Sequence, residues 1–399
     1  MVASSGIVQE MGTSGIDERE IRVACNMRVA HLTSVHLVRD VRIYQKECRS
    51  LYDAGYDVVL VGIGDSFDDP SGPRLVGIHR SRWRAARIAS AWIHVLRQAV
   101  RTRAGLFHLH DPELIPLGVI LKLLGKRVIF DCHEYYATDM LDRAYIPAPL
   151  RKFLSVAVHL ALRMADRCFD GIVVAAPGML RDFSNRNATL INNYPEWEIG
   201  PAGKRNFKKR PPLIAYAGVI AERRGIREML DALEIVAQRT EVRLLLAGKF
   251  APPELMDEMR GHPAWRFVDY RGLVPRNEVK LLLEDAVAGL VIFWDIGNHR
   301  ESSPNKLFEY MAAGLPTIVT DFPTWRILLG PLGASLMVDP RDPKAIAEKI
   351  CWILANRDEA EQMGRQGQQG VREQFSWKSE SKKLIELYGT VLSAHGAVK

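Results

Sequence analysis

Short apolar runs alternate with amphipathic helical patterns along almost the whole chain, and the alternation starts twice. The runs are apolar throughout, the signature of parallel strands covered on both faces by helices. Met27 to Thr33 reads as a first strand, with a turn at Thr33 to Val35. An amphipathic helix from Val38 to Ala54 follows, ended by Gly55, and then a strand from Asp57 to Val61. Further strands read at Leu106–Leu109, Arg127–Asp131, Gly171–Val174 and Ala188–Asn192, with a long helix at Ala148–Arg167. Gly200 to Pro212 carries Lys204, Arg205, Lys208, Lys209, Arg210 and three prolines, a linker composition. Alternation then resumes, with strands at Leu213–Ala217, Arg243–Leu246, Phe267–Tyr270, Gly289–Phe293, Thr317–Thr320 and Ser335–Val338. A chain of 399 residues exceeds one ordinary core. The sequence therefore predicts two doubly wound α/β domains, residues 21–199 and 213–377, joined by 200–212.

Within the second domain, Glu301 to Gly314 reads E-S-S-P-N-K-L-F-E-Y-M-A-A-G. Ser303 is expected to cap a helix whose first residue is Pro304, and Gly314 to end it. Such a helix start presents free N–H groups and a partial positive charge, suited to a phosphate. Glu301 precedes the start and Glu309 lies about a turn and a half inside, at about 1.5 Å per residue. Carboxylates repel phosphate but accept hydrogen bonds from sugar hydroxyls. A nucleotide sugar meets both demands, although any capped amphipathic helix could carry the same spacing. After the first strand of this domain, Gly218 is followed by Glu222-Arg223-Arg224-Gly225, a glycine turn and a cation at a helix start.

Composition narrows the class. Hydrophobic residues make up 47% and charged residues 25%, ordinary for a globular chain. Five scattered cysteines without a C-x-x-C pair argue against a disulfide framework and point to a reducing compartment. No apolar run reaches the roughly 18 residues of a membrane span; Phe153 to Ala165 is broken by His159 and Arg163. Residues 1–20 lack the order of a signal peptide and read as a frayed tail. Net charge is +7, and Pro70 to His110 holds eight arginines and no acid. Ser81 to Arg103 reads as a helix with Ile88, Trp92, Val95 and Ala99 in one stripe. That helix either packs on a sheet with a solvated basic face or lies on an anionic membrane with Trp83 at the interface. Too few aromatics interleave with the arginines for nucleic acid to be the partner.

Strand ends in parallel sheets are where ligands bind. His110-Asp111-Pro112-Glu113 follows one such strand and His133-Glu134 another. A zinc site from His108, His110, Cys132 and His133 is disfavoured by the two-residue spacing of the first pair, and His110 reads more simply as a turn cap.

Glu301-x7-Glu309 and its filling resemble the retaining glycosyltransferases of family 4, which have the GT-B fold. The segments Thr33–Ile43, 106–134 and 218–225, and Phe375-Ser376-Trp377 with the helix after it, extend the resemblance over nearly the whole chain from Met27. It implies a donor site on the second domain. There Glu309 would hold the ribose, Glu301 would face the donor sugar, and amides near Ser303, Asn305, Lys306 and Leu307 would hold the β-phosphate. Arg224 would contact the diphosphate beside Gly218, Gly248 would line the nucleotide side, and Arg271-Gly272-Leu273 would meet a base not specified as uracil or guanine. Because Val219 stands where the family often has a basic residue, more charge falls on Arg224 and Lys306. No metal or other cofactor is implied. The first domain would form the acceptor side with His110, Asp111 and Glu134, and His133 would lie near the transferred sugar. Residues 378–399 would form a final helix crossing back to that domain. The expected reaction moves a sugar from a nucleoside-diphosphate sugar to a sugar, glycolipid or lipid-linked acceptor, with anomeric retention, in the cytoplasm or on the inner membrane face. A nucleotide-sugar epimerase and a non-catalytic subunit of the same fold are the alternatives; intact Arg224, Glu301 and Glu309 argue against the second.

Overall fold

The computed structural model describes residues 27–68, 70–78, 84–141, 146–196 and 206–393. The tail 1–20, Arg80, Arg82, Trp83, residues 200–205 and the final six residues lie outside them, as do the side chains of Arg84, Arg87 and Ile88. Two compact units emerge: residues Met1–Ile191 with Ser381–Lys399, and residues Asn192–Glu380.

The first unit is a seven-stranded parallel sheet in the order β3-β2-β1-β4-β5-β6-β7. Its strands are β1 (Arg28–Leu37), β2 (Asp57–Ile63), β3 (Arg74–Ile78), β4 (Leu106–Leu109), β5 (Arg127–Cys132), β6 (Gly171–Val174) and β7 (Ala188–Leu190). β1 runs four residues past the expected turn at Thr33, and β3 has no counterpart in the sequence reading. The first helix also differs. Asp40 accepts from the amides of Arg42 and Ile43 and starts a wide π-helical turn, Val41–Cys48, which runs into a short α-helix, Arg49–Asp53. In a helix closed by i→i+5 bonds, residues five apart stack. Arg42 Nε accordingly lies 3.0 Å from Glu47 Oε1. On the helix Arg84–Thr102, Val95 and Ala99 are buried and Trp92 is half-buried, while Arg97 and Arg101 face solvent. Its described half therefore packs on the sheet. The helix Ala148–Cys168 leaves Leu150, Phe153, Val156 and Leu160 exposed along its length.

The second unit holds six parallel strands in the order β10-β9-β8-β11-β12-β13. They are β8 (Leu213–Ala217), β9 (Arg243–Ala247), β10 (Val268–Gly272), β11 (Ala288–Val291), β12 (Thr317–Thr320) and β13 (Ser335–Val338). The expected linker is partly core: Phe207 is buried, and buried Arg210 donates to Ala286 O at 2.9 Å. The helix starts at Asn305, not Pro304, with Pro304 at the cap position and no side-chain cap. Ser302, not Ser303, closes the preceding turn, donating to His299 O at 2.8 Å. Gly314, at φ 73°, ends the helix as expected.

This helix is seated on the sheet by Tyr310, whose hydroxyl oxygen accepts from Ala217 N at 2.7 Å and whose ring covers Gly289. A Cβ at Gly289 would overlap that ring, whereas one at Gly330 would meet nothing within 4 Å. Gly289→Ala should therefore lower stability by about 1–3 kcal/mol through overpacking, and Gly330→Ala should not. Thermal denaturation of both variants checks this; equal melting temperatures would mean the helix is not seated against β11.

Candidate functional site

Each sheet reverses its strand order beside its first strand, between β1 and β4 and between β8 and β11, and a crevice opens at the carboxyl ends there. Most of the sequence-derived site residues cluster at these two places.

In the second unit, the chain leaves β8 at Gly218, φ 131°, and leaves β9 at Gly248, φ 146°. The two glycines pack so closely that a Cβ at Gly248 would overlap the Gly218 carbonyl. Buried Lys306, in the first turn of the helix Asn305–Ala312, points its Nζ at this turn. A Cβ at Gly218 would lie 3.0 Å from that nitrogen. The ammonium sits 3.7 Å from the centroid of the Tyr216 ring and 5.6 Å from that of Phe293. Arg224 lies on a 3-10 turn, Glu222–Arg224, with its guanidinium 5.5 Å from the same Phe293 ring. Neither Lys306 Nζ nor Arg224 Nε has a hydrogen-bond partner, although both atoms are buried. Burial and the Arg224 charge push Lys306 well below the usual lysine range, and the charge of Glu309 only partly opposes this. Two cations, an uncapped helix start and a glycine turn thus face one small volume, and an anion is what that arrangement lacks.

Glu301 ends a 3-10 turn, His299–Glu301, and is half-buried, as are Ser303, Asn305 and Glu309. Leu307 lies in the first turn of the helix Asn305–Ala312. Its side chain is core, and its N–H donates to Pro304 O at 3.0 Å. At the end of β10, Arg271 pairs with Asp269 at 2.6 Å and lines a shallow pocket with Val274, Glu278, Leu281 and Leu282. Tyr216 and Phe293, which hold the cations by their ring faces, escaped the sequence reading because nothing local marks a strand aromatic as a cation partner.

In the first unit, His110 is no turn cap. It is fully buried, its Nδ1 3.2 Å from Asp131 Oδ2 and its Nε2 2.9 Å from His31 Nδ1. Arg42 donates to both Asp131 oxygens at 3.0 Å. Burial works against the Asp131 charge, but Arg42, His133 and hydrogen bonds from His110 and His133 outweigh it and hold the carboxyl well below its usual range. His133 lies 3.3 Å from Asp131 Oδ2 and 5.8 Å from the Tyr136 ring. Burial disfavours its imidazolium, yet Asp131 raises it above the ordinary value. Burial and the neighbouring histidine charges push His31 and His108 well below that value. His133 is therefore the imidazole most readily protonated in this group. Asp111 accepts from Thr33 Oγ1 and Ser34 N, both at 2.7 Å, tying the segment after β4 to the carboxyl half of β1, whereas Glu134 is exposed. Cys132 stands apart from the histidines, its Sγ 3.6 Å from Glu134 O. The structure adds His31, Glu47 and Tyr388 to this network, none of them singled out by sequence.

The pattern of glycosyl transferases group 1 matches residues 202–370, and that of the glycosyl transferase 4-like domain matches residues 42–189. A capsular polysaccharide biosynthesis glycosyltransferase of Staphylococcus aureus is 28% identical over 189 residues, 45% of this chain and 46% of its own. A glycogen synthase of Mycobacterium tuberculosis is 23% identical over 246 residues, 59% and 58% of the two chains. The chain thus spans about half the length of these relatives. Among solved structures, sucrose-phosphate synthase from Thermosynechococcus elongatus superimposes with a TM-score of 0.72 at 17% identity, over 92% of this chain and 100% of that one. Anabaena HepE in complex with UDP-glucose gives 0.67 at 11% identity, over 90% and 98%. Two Rossmann-like sheets matched by these two patterns over most of the chain place it in the GT-B glycosyltransferase family.

Proposed function

We propose that this protein transfers a sugar from a nucleoside-diphosphate sugar to an acceptor hydroxyl with retention of anomeric configuration, in polysaccharide or glycolipid synthesis. The observation that carries the reading is the pair of buried nitrogens without hydrogen-bond partners, Lys306 Nζ and Arg224 Nε, beside Gly218 and an uncapped helix start. A diphosphate supplies the acceptors they lack. As the bond between the anomeric carbon and the phosphate oxygen breaks, negative charge grows on that oxygen, and these cations and the helix start stabilise it. Glu309, one turn along the helix, receives the ribose hydroxyls, and Glu301 the hydroxyls of the donor sugar. Asp111, His133 and Glu134 fall to the acceptor side, with His133 nearest the transferred sugar, while fully buried His110 stays behind them. The proteins of known structure include one bound to UDP-glucose, which supports a nucleotide-sugar donor. The chain's own cations answer the diphosphate charge in this proposal, and the protein works in the cytoplasm.

The acceptor is assigned to a lipid surface. Among the described residues no helix is long and apolar enough to cross a membrane. The helix Ala148–Cys168 nevertheless exposes Phe153 by 67% and Leu160 by 62%, with Lys152, Arg163 and Arg167 also exposed. An apolar face edged with cations suits an anionic bilayer.

Kinetics separate the donor roles. Glu309→Ala should raise the donor KM by the loss of one or two charge-assisted hydrogen bonds, about 1.5–3 kcal/mol each. Arg224→Ala should lower kcat on the order of a hundredfold. An intact kcat in Arg224→Ala, or an inverted product anomer by NMR, would overturn the assignment.

Protonation gives an independent check. Free Lys306 is displaced toward its neutral form, and a bound diphosphate restores the ammonium, so binding takes up a proton. Affinity should therefore fall as pH rises between the lowered Lys306 value and the ordinary lysine value near about 10.4. Calorimetry of nucleoside diphosphate binding in two buffers of different ionisation enthalpy reads the uptake directly. Lys306→Met should abolish it, and equal heats in both buffers with the native chain would contradict the role given to Lys306.

For the membrane assignment, Phe153→Glu with Leu160→Glu should abolish cosedimentation with anionic vesicles while leaving neutral-vesicle binding negligible in both proteins. Unchanged cosedimentation would locate any lipid contact elsewhere.

A further inference from the structure

Behind the first unit's strand ends lies a fully buried group that the proposed transfer does not use: His31 on β1, Glu47 on the π-helical turn, and His108 and His110 at the end of β4. One potential ligand atom from each lies within 4.8 Å of all the others. His31 and His108 are register partners on neighbouring strands. His108 and His110 are two apart on extended backbone, and that spacing puts both on one face of the sheet. The objection drawn from it in the sequence is therefore reversed.

We infer that His31 Nδ1, His108 Nε2, His110 Nε2 and Glu47 Oε2 form a closed tetrahedral site for a divalent cation of the zinc class. Three observations carry this. First, the spacing fits: His31 Nδ1 and His110 Nε2 are 2.9 Å apart, and each is 4.0 Å from Glu47 Oε2. Ligands at about 2.0–2.1 Å from one tetrahedral ion stand about 3.3 Å from each other, and these three separations lie within an ångström of that spacing.

Second, the outward nitrogen of every ring is held by oxygen. His110 Nδ1 meets Asp131, itself gripped by Arg42. His31 Nε2 and His108 Nδ1 both meet the Tyr388 hydroxyl, at 3.0 and 2.9 Å. Such outer partners turn the inner lone pair of an imidazole toward a metal and fix the ring. Third, the inward atoms are under-used. His108 Nε2 and both Glu47 oxygens are buried without a hydrogen-bond partner, although Glu47 Oε1 lies within ion-pair distance of Arg42. Leaving such groups unsatisfied costs their full desolvation penalty, and a cation satisfies them together. Four protein ligands and no access to solvent make the site structural. It ties β1, β4 and the π-helical turn together behind His133, and it stands independently of the sugar-transfer reading.

The test uses the full chain, stripped by chelator and titrated with cobalt(II). One equivalent should produce the intense visible absorption of four-coordinate cobalt, and one equivalent of zinc(II) should bleach it and raise the melting temperature. Glu47→Gln and His108→Phe should each weaken cobalt binding by more than about a hundredfold. His133→Ala should leave the spectrum in place. A weak octahedral spectrum, a substoichiometric endpoint or no thermal shift in the native chain overturns the proposal, even if the variants do not fold. So does a spectrum that survives His108→Phe but is lost in His133→Ala, because the ion would then sit among His110, Asp131 and His133.

Discussion

A parallel sheet that reverses its winding leaves the carboxyl ends of two neighbouring strands uncovered, and each unit of this protein is built around such a point. Helices cover both faces of the strands, but none can cover the gap where one connection turns left and the next turns right. In the second unit the gap is bordered by Gly218 after β8 and Phe293 after β11; in the first, by Thr33 and Ser34 on β1 and His110 after β4. The chemistry follows from what the chain places at these ends.

At the β8–β11 gap the chain holds positive charge in a way that resists its own folding. Lys306 is buried, and its nitrogen rests on the Tyr216 ring without a hydrogen-bond acceptor. A ring face offsets only part of the cost of removing an ammonium from water, of order 2 kcal/mol when desolvated. The lowered lysine value expresses the remainder. That arrangement is the observation on which the diphosphate proposal rests.

The first unit solves the opposite problem. Asp131 is buried with Arg42 across two hydrogen bonds, a geometry in which attraction can offset desolvation. Asp131 then orders His110 and His133 on either side, and through His110 the equally buried His31. Breaking the Arg42–Asp131 pair would leave one buried charge and release two imidazoles. The pair therefore matters more for order around the strand ends than for net stability.

The sequence by itself determined the two-sheet architecture, because strands buried on both faces must be apolar throughout and must be separated by helices. β4, β6, β8, β12 and β13 were legible to the residue for that reason. The pairing of Arg224 with Lys306 at the β8–β11 gap was legible in part, since both sit in short segments where helix starts and glycine turns leave local marks. β3 was not, being a short edge strand with a glycine and an arginine. Nor was the start at Asn305, because the 3-10 turn at His299–Glu301 uses Ser302 and shifts the helix onward. Only the tertiary structure decided the buried histidine network. Tyr388 meets His31 across 357 residues, and Glu47 reaches it through a π-helical turn that no periodicity announces. Local patterns record which faces are apolar; which buried polar groups satisfy one another depends on strand order and register, and these exist only once the sheet has formed.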